Sequence, residues 1–320
     1  MRALTRSSLS VVFWGVVCPI ALAAGIAALE AREAEAQSPE SLMSFSPPSA
    51  QIVVGIDLQP ATYARPFSTL ALHTLTRDPR AARFMGWVEQ SQIVIAPDTA
   101  MSFEDDQGHT AALFDYVTLR DSHWLRLEAL MGLNGMSQAK VRGAQLWTAS
   151  PEAEPPLPEG MAVARLNDTV LAVGHEVMVK AIVEAARSRP NARGPMAELA
   201  SSIPRAATAW FALWAPASEQ PCGKEASGYG VLDDGLLIEI RWRCDAVEAA
   251  NAHRDAIAAA LKDEALGREF AQIPELIALI GSARIQRVGT DVVLVITSRD
   301  ARLRAILKDL ARLALPAFKE

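Results

Sequence analysis

Glu104, Asp105, Asp106 and His109 stand within six positions of one another in the stretch SFEDDQGHTAALFDYV, residues 102–117. Carboxylates and an imidazole at that density can bind a divalent cation or carry a proton. The same residues suit the tip of a β-hairpin, where Asp and Gly are common for purely local reasons. A second acidic turn, Asp233-Asp234-Gly235, recurs between two apolar runs, with fewer acids and no histidine. What the two stretches share is a turn. The expectation is therefore a solvated hairpin tip, with a hydrated metal contact through Glu104, Asp105, Asp106 and His109 as the alternative reading.

Other chemistry finds less support. His175-Glu176 begins like the zinc-protease pattern HExxH, but residue 179 is Val, so the second ligand is missing. No GxSxG elbow and no GxGxxG or GxxxxGK phosphate loop occurs. GKEASGYG reads as a flexible approach to a strand. His73, His109, His123 and His253 each stand alone, and His253, within NAHRD, reads as a surface residue. No catalytic residue, cofactor site or cofactor is expected. Cys222 and Cys244 are the cysteines that remain outside the N-terminal segment, and an even count in an exported chain predicts a disulfide. Trp210 and Trp214 fall on one face of a strand and Phe211 and Leu213 on the other, which reads as burial on both sides. In IEIRWRC, Arg241 and Arg243 alternate with apolar residues and leave one face wet. Trp210, Trp214, Arg241 and Arg243 are the candidate ligand or partner surface.

These side chains must be positioned by elements, and the chain has the composition to build them. Half of the 320 residues are hydrophobic and 21% are charged, which suits a folded protein. The net charge is −6 and no run of basic residues occurs, so nucleic acid is not an expected partner. Arg2 and Arg6 precede an uncharged run from Val11 to Leu29, and Ala34-Glu35-Ala36 fits a small-x-small cleavage site. Residues 1–36 are thus read as an export signal or an N-terminal membrane anchor. Val17 occupies the place where lipid attachment at Cys18 would want a small residue. Residues 37–50 are a Ser/Pro-rich tether.

The body reads as a strand, QIVVGIDL, then a helix opened by Pro66 and another from about Pro79 to Val88. From residue 91 the pattern recurs. IVIAP matches ALWAP, and FEDDQGHTAALFDYVTLRD matches VLDDGLLIEIRWRCD, each closing on an Asp expected to cap a helix. Asp121 and Asp245 are 124 residues apart, and Asp168 and Asp291, in later turns, are 123 apart. One nearly constant offset predicts a duplication. The expected fold is α+β, with two related halves, each an antiparallel sheet with helices on one face. The first unit spans 51–195, with the strand and helix as its extension, and the second 196–320. The last segment, ARLRAILKDLARLAL, carries Leu303, Ile306, Leu307, Leu310 and Leu313 as one helical stripe.

In this layout, with VVGIDL early and TVLAVG and VVLVIT before helices, the chain resembles exported α+β repeat proteins of large-genome Gram-negative bacteria. The resemblance implies a fold and an export route and no activity. The expected function is a non-catalytic binding, scaffold or accessory role in the periplasm or outside the cell. Its partner would be an envelope protein or a small hydrophobic ligand, and membrane contact is expected only through residues 11–29 if they stay uncleaved. A lipid or hydrophobic-ligand carrier, and an enzyme without a recognisable motif, are the alternatives.

Overall fold

In the computed structural model, the described residues are 42–57, 78–91, 97–116, 121–153, 156–187, 195–232, 235–262 and 274–299. Strand β1 (Ala50–Asp57) precedes α1 (Pro79–Gln90) and the hairpin of β2 (Thr99–Asp105) and β3 (Thr110–Asp115). Then come α2 (Asp121–Leu133), the hairpin of β4 (Met136–Val141) and β5 (Ala144–Ala149), β6 (Met161–Arg165), β7 (Val170–His175), α3 (Glu176–Arg187) and α4 (Pro195–Ser201). β8 (Ala209–Trp214), β9 (Glu225–Leu232), β10 (Gly235–Arg243), α5 (Val247–Ala260), α6 (Pro274–Gly281), β11 (Arg284–Val288) and β12 (Asp291–Arg299) follow.

Local chemistry accounts for the helix starts. Asp78 accepts from the Arg80 amide at 2.8 Å and Pro79 takes the first helical position, where its missing N–H costs nothing, so α1 begins there. The start of α5 differs from expectation. Its N-cap is Ala246, which makes no side-chain cap bond, while Asp245 instead meets the Lys224 ammonium at 3.0 Å.

The twelve strands form one antiparallel sheet in the order β11-β12-β10-β9-β8-β1-β2-β3-β7-β6-β5-β4. Two separate sheets were expected; pairing of β1 with both β2 and β8 joins everything into one. On one side of that junction the order β2-β3-β7-β6 runs outward, and on the other β9-β10-β12-β11. The helices also depart from expectation, because they cover both faces. β3, β6, β7 and β8 are buried along nearly their whole length, on both sides, and a strand with two apolar faces needs cover on each. On one face Phe84 and Trp87 of α1, Trp124 and Leu127 of α2, Ile257 of α5 and Leu279 of α6 lie with Phe114, Val173, Ile240 and Leu294 of the sheet. On the other, Met178 and Ile182 of α3 and Met196 of α4 lie with Val53, Met101, Leu113 and Trp210.

Two glycines make room for the aromatic pair of β8. Gly55 of β1 is registered with Trp210, and a Cβ there would come within 2.3 Å of the indole. Gly228 of β9 is registered with Phe211 and would meet that ring at 2.3 Å. Residues Glu225–Leu232 are thus a strand in themselves, and not a flexible approach to one.

Cys222 and Cys244 form the expected disulfide, closing the base of the β9–β10 hairpin. The export segment, the helix opened by Pro66, residues 93–96 of IVIAP, Asp233-Asp234 and the C-terminal stripe lie outside the described residues. Among the described residues no helix is long and apolar enough to cross a membrane.

Candidate functional site

The acidic cluster is a turn, but not a loosely solvated one. Asp105 ends β2 with its side chain 7% exposed. Its Oδ1 accepts from the amides of Gln107 at 2.9 Å and His109 at 2.8 Å, and its Oδ2 lies 2.9 Å from His109 Nδ1. Burial pushes the Asp105 carboxyl up, but the His109 hydrogen bonds, the Gln107 amide and the His109 charge together outweigh it, and the net shift is downward. Glu104 and Asp105 are neighbours on a strand, so their side chains leave it on opposite faces and do not converge on one ion. Burial, then the Asp105 charge, holds the Glu104 carboxyl above its ordinary value. Asp106 is exposed at the tip. Among the described residues no three His, Cys, Asp or Glu side chains are grouped so as to hold a metal ion.

His109 does not stand alone. β3 pairs with β7, Ala111 opposite Gly174, and this register carries the turn up to the end of β7. There the His109 ring stacks on His175, centroids 4.2 Å apart and planes 25° from parallel. The Val177 amide of α3 donates to His175 Nδ1 at 3.4 Å, which places the neutral ring's proton on Nε2. A third element closes the group. Thr110 donates its hydroxyl to Asp78 Oδ2, and Asp78 pairs with Arg80 at 3.2 Å. Arg80 Nε in turn donates to the Glu159 carbonyl at 2.7 Å. The cluster of Asp78, Arg80, Asp105, His109, Thr110 and His175 therefore ties α1, the β2–β3 turn and the β7–α3 junction together. Asp105 and His109 form a carboxylate–imidazole pair, and the adjacent Thr110 hydroxyl donates to Asp78 and not to His109. Sequence spacing does not signal this site; only the β3–β7 register does.

His253 was expected on the surface, yet it is partly buried, with its ring edge-on to Trp242 at 5.5 Å. Burial holds its imidazole below the ordinary histidine range.

The second candidate surface is built by strand register. Trp214 of β8 lies opposite Glu225, Glu225 opposite Arg243, and Arg243 opposite Asp291. The next row on the same face runs Ala212, Ser227, Arg241, Val293, and the next Trp210, Tyr229, Glu239, Val295. Trp210, Trp214, Arg241 and Arg243 thus share one face of the sheet. They are not equally accessible. Trp210 is 2% exposed beneath α4, while the Arg241 and Arg243 side chains are 48% and 58% exposed. Arg243 reaches Glu225 at 2.8 Å and Asp291 at 3.5 Å, and Arg241 reaches Glu239 at 3.2 Å and Asp291 at 3.5 Å. The Tyr229 hydroxyl donates to Glu239 at 3.1 Å; burial and then the Glu239 charge hold that phenol above its usual range. The result is a ladder of alternating charge beside a half-buried tryptophan. On this face the described helices rest on β1–β3 and β6–β9.

Asn167-Asp168-Thr169, a formal glycosylation pattern, is an Asx turn: Asn167 Oδ1 accepts from the Thr169 and Val170 amides, each at 2.8 Å.

No protein-family model and no curated protein matches the chain. A solved structure described as crystal form I of TP0453 aligns with 88% of this chain and 99% of its own, at 10% identity and a TM-score of 0.42.

Proposed function

We propose that this is an exported envelope protein that recognises another envelope protein without catalysis, using the sheet face that carries Trp214, Arg241 and Arg243. The observation that carries the reading is the ladder of Glu225, Arg243, Asp291, Arg241 and Glu239 beside Trp214, on the outer part of a face whose inner part lies under α3 and α4. Arginine and tryptophan are the residue types that dominate recognition hot spots, and a paired charge ladder discriminates among partners more than it adds affinity. The Cys222–Cys244 disulfide fits an oxidising compartment, and residues 1–36 supply the export signal or anchor; the tether expected over 37–50 is shorter than that, because Leu42 and Met43 are buried in the core and Ala50 opens β1. In this reading the two halves descend from one unit, which the matching orders β2-β3-β7-β6 and β9-β10-β12-β11 support.

The test has two parts. Mass measurement of protein recovered from the envelope is expected to show a chain beginning at Gln37 or the intact anchored form. A photocrosslinker placed at Gln286, in the row of Arg241 and Val293, is expected to give one discrete adduct in intact cells. Trp214→Ala with Arg241→Ala and Arg243→Ala should abolish it, whereas Ser137→Ala on β4 should not. No adduct, or one indifferent to the triple change, removes this face from the function.

A further inference from the structure

We propose that the His109–His175 stack is an acid-sensitive latch, closed while at least one ring is neutral and opened when both are protonated, which releases the β2–β3 turn from α1 and the β7–α3 junction. The geometry makes the two protonation states unequal. Two imidazoles with centroids 4.2 Å apart stack as neutral rings, or as one neutral and one charged ring; two imidazolium ions at that distance repel. His175 also loses an interaction on protonation, because its Nδ1 is the acceptor for the Val177 amide and a protonated ring has no acceptor.

The surrounding charges set which ring holds out. Acting on the stack are Asp105 from the β2–β3 turn and Asp78 and Arg80 from α1; Glu176, next to His175 at the start of α3, is paired with Lys180, and Glu104 precedes Asp105. Asp105 Oδ2 lies 2.9 Å from His109 Nδ1. Among the described residues no carboxylate pairs with His175. Burial first, then the charges of His109 and Arg80, hold it below the ordinary histidine value, against the opposing pull of Asp78 and Asp105. The sign follows from linkage. A native imidazole with a depressed pKa contributes stability that is full above the unfolded value of about 6.5 and is lost as the pH falls through the lower native value. Because the stack joins three elements, the loss appears as local opening there before global unfolding.

Hydrogen–deuterium exchange on the full chain, corrected for intrinsic rate, tests this between about pH 7.5 and about pH 5, where an imidazole changes charge. Exchange in 104–111 and 175–179 is expected to rise several-fold as the pH falls. Segment 225–243, which contains no histidine, should not change. His175→Phe keeps a flat ring, carries no proton, and should abolish the rise. Should that variant fail to fold, imidazole NMR of the unaltered protein replaces it, with His175 expected to titrate below free histidine and the exchange midpoint to follow it. Unchanged exchange, a rise that persists in His175→Phe, or titration of His175 at the ordinary value overturns the latch.

Discussion

At the scale of single residues, the same chemical change has opposite signs at two glycines, and the surrounding atoms decide which. A Cβ on Gly228 would meet the Phe211 ring at 2.3 Å and the Glu239 carbonyl oxygen at 3.0 Å. The ring is buried in the core cluster that also contains Ile56 and Ala226, where moving it displaces packed neighbours. Gly228→Ala is therefore an overpacking change and should cost about 1–3 kcal/mol. Gly86 lies inside α1 with nothing within 4 Å of its would-be Cβ. There alanine removes backbone freedom from the unfolded chain, and Gly86→Ala should stabilise by up to about 1 kcal/mol. Urea unfolding of both variants with the disulfide intact reads the two signs; a neutral Gly228→Ala would mean that Phe211 is not fixed across β9. Gly228 of GKEASGYG misleads as sequence for the same reason. Gly suggests flexibility when read alone, whereas here its absent side chain is the space that a registered aromatic occupies.

Single elements are secured by local chemistry, and what was legible in the sequence follows that boundary. The β9–β10 hairpin is closed by Cys222 and Cys244, 22 positions apart. Loop-closure entropy for a ring of that size gives about 3 kcal/mol, acting mainly by restricting the unfolded chain. The double change Cys222→Ala, Cys244→Ala should lower the unfolding free energy by about 2–4 kcal/mol in urea titration, and reductant should do the same to the unaltered protein. A loss well below that would mean that the hairpin already persists in the unfolded chain. This hairpin and helices α1 and α5 could be read because apolar periodicity and Asp, Gly and Pro punctuation lie within each segment. The β4–β5 hairpin could not. Its turn is Arg142-Gly143, at φ of 49° and 85°, without the Asn-Gly or Asp-Gly that signals such turns, and Ser137, Gln138, Ala139 and Lys140 of β4 are all exposed. The stack of His109 on His175 was illegible for a different reason. The carboxylates near His109 and Glu176 beside His175 do not point from one histidine to the other, and what brings the two rings together is the pairing of β3 with β7.

At the scale of the whole molecule, pairing β1 with β8 converts two sheet halves into one twelve-stranded sheet, whose edge strands among the described residues are β4 and β11. An open edge presents unpaired backbone donors and acceptors and is a template for another chain. Both edges here carry polar or basic guards. β4 exposes Ser137, Gln138 and Lys140, and β11 exposes Arg284, Gln286 and Arg287. Charge on an edge blocks self-pairing because a second copy would bring like charges together and would strip water from them. At β11 the guard is tested most sharply, since between the arginines lie Ile285 and, beyond them, Val288, which is 56% exposed. Arg284→Val with Arg287→Val turns Arg284–Val288 into a β-branched run broken only by Gln286. It leaves the inner cover of Val292, Leu294 and Ile296 on β12 in place, so the fold should persist. Light scattering across a concentration series should then show self-association of the variant at concentrations where the unaltered protein does not associate. If the variant scatters as the parent does, the arginines are not what keeps this edge unpaired, and the twist or a covering segment must be doing it instead.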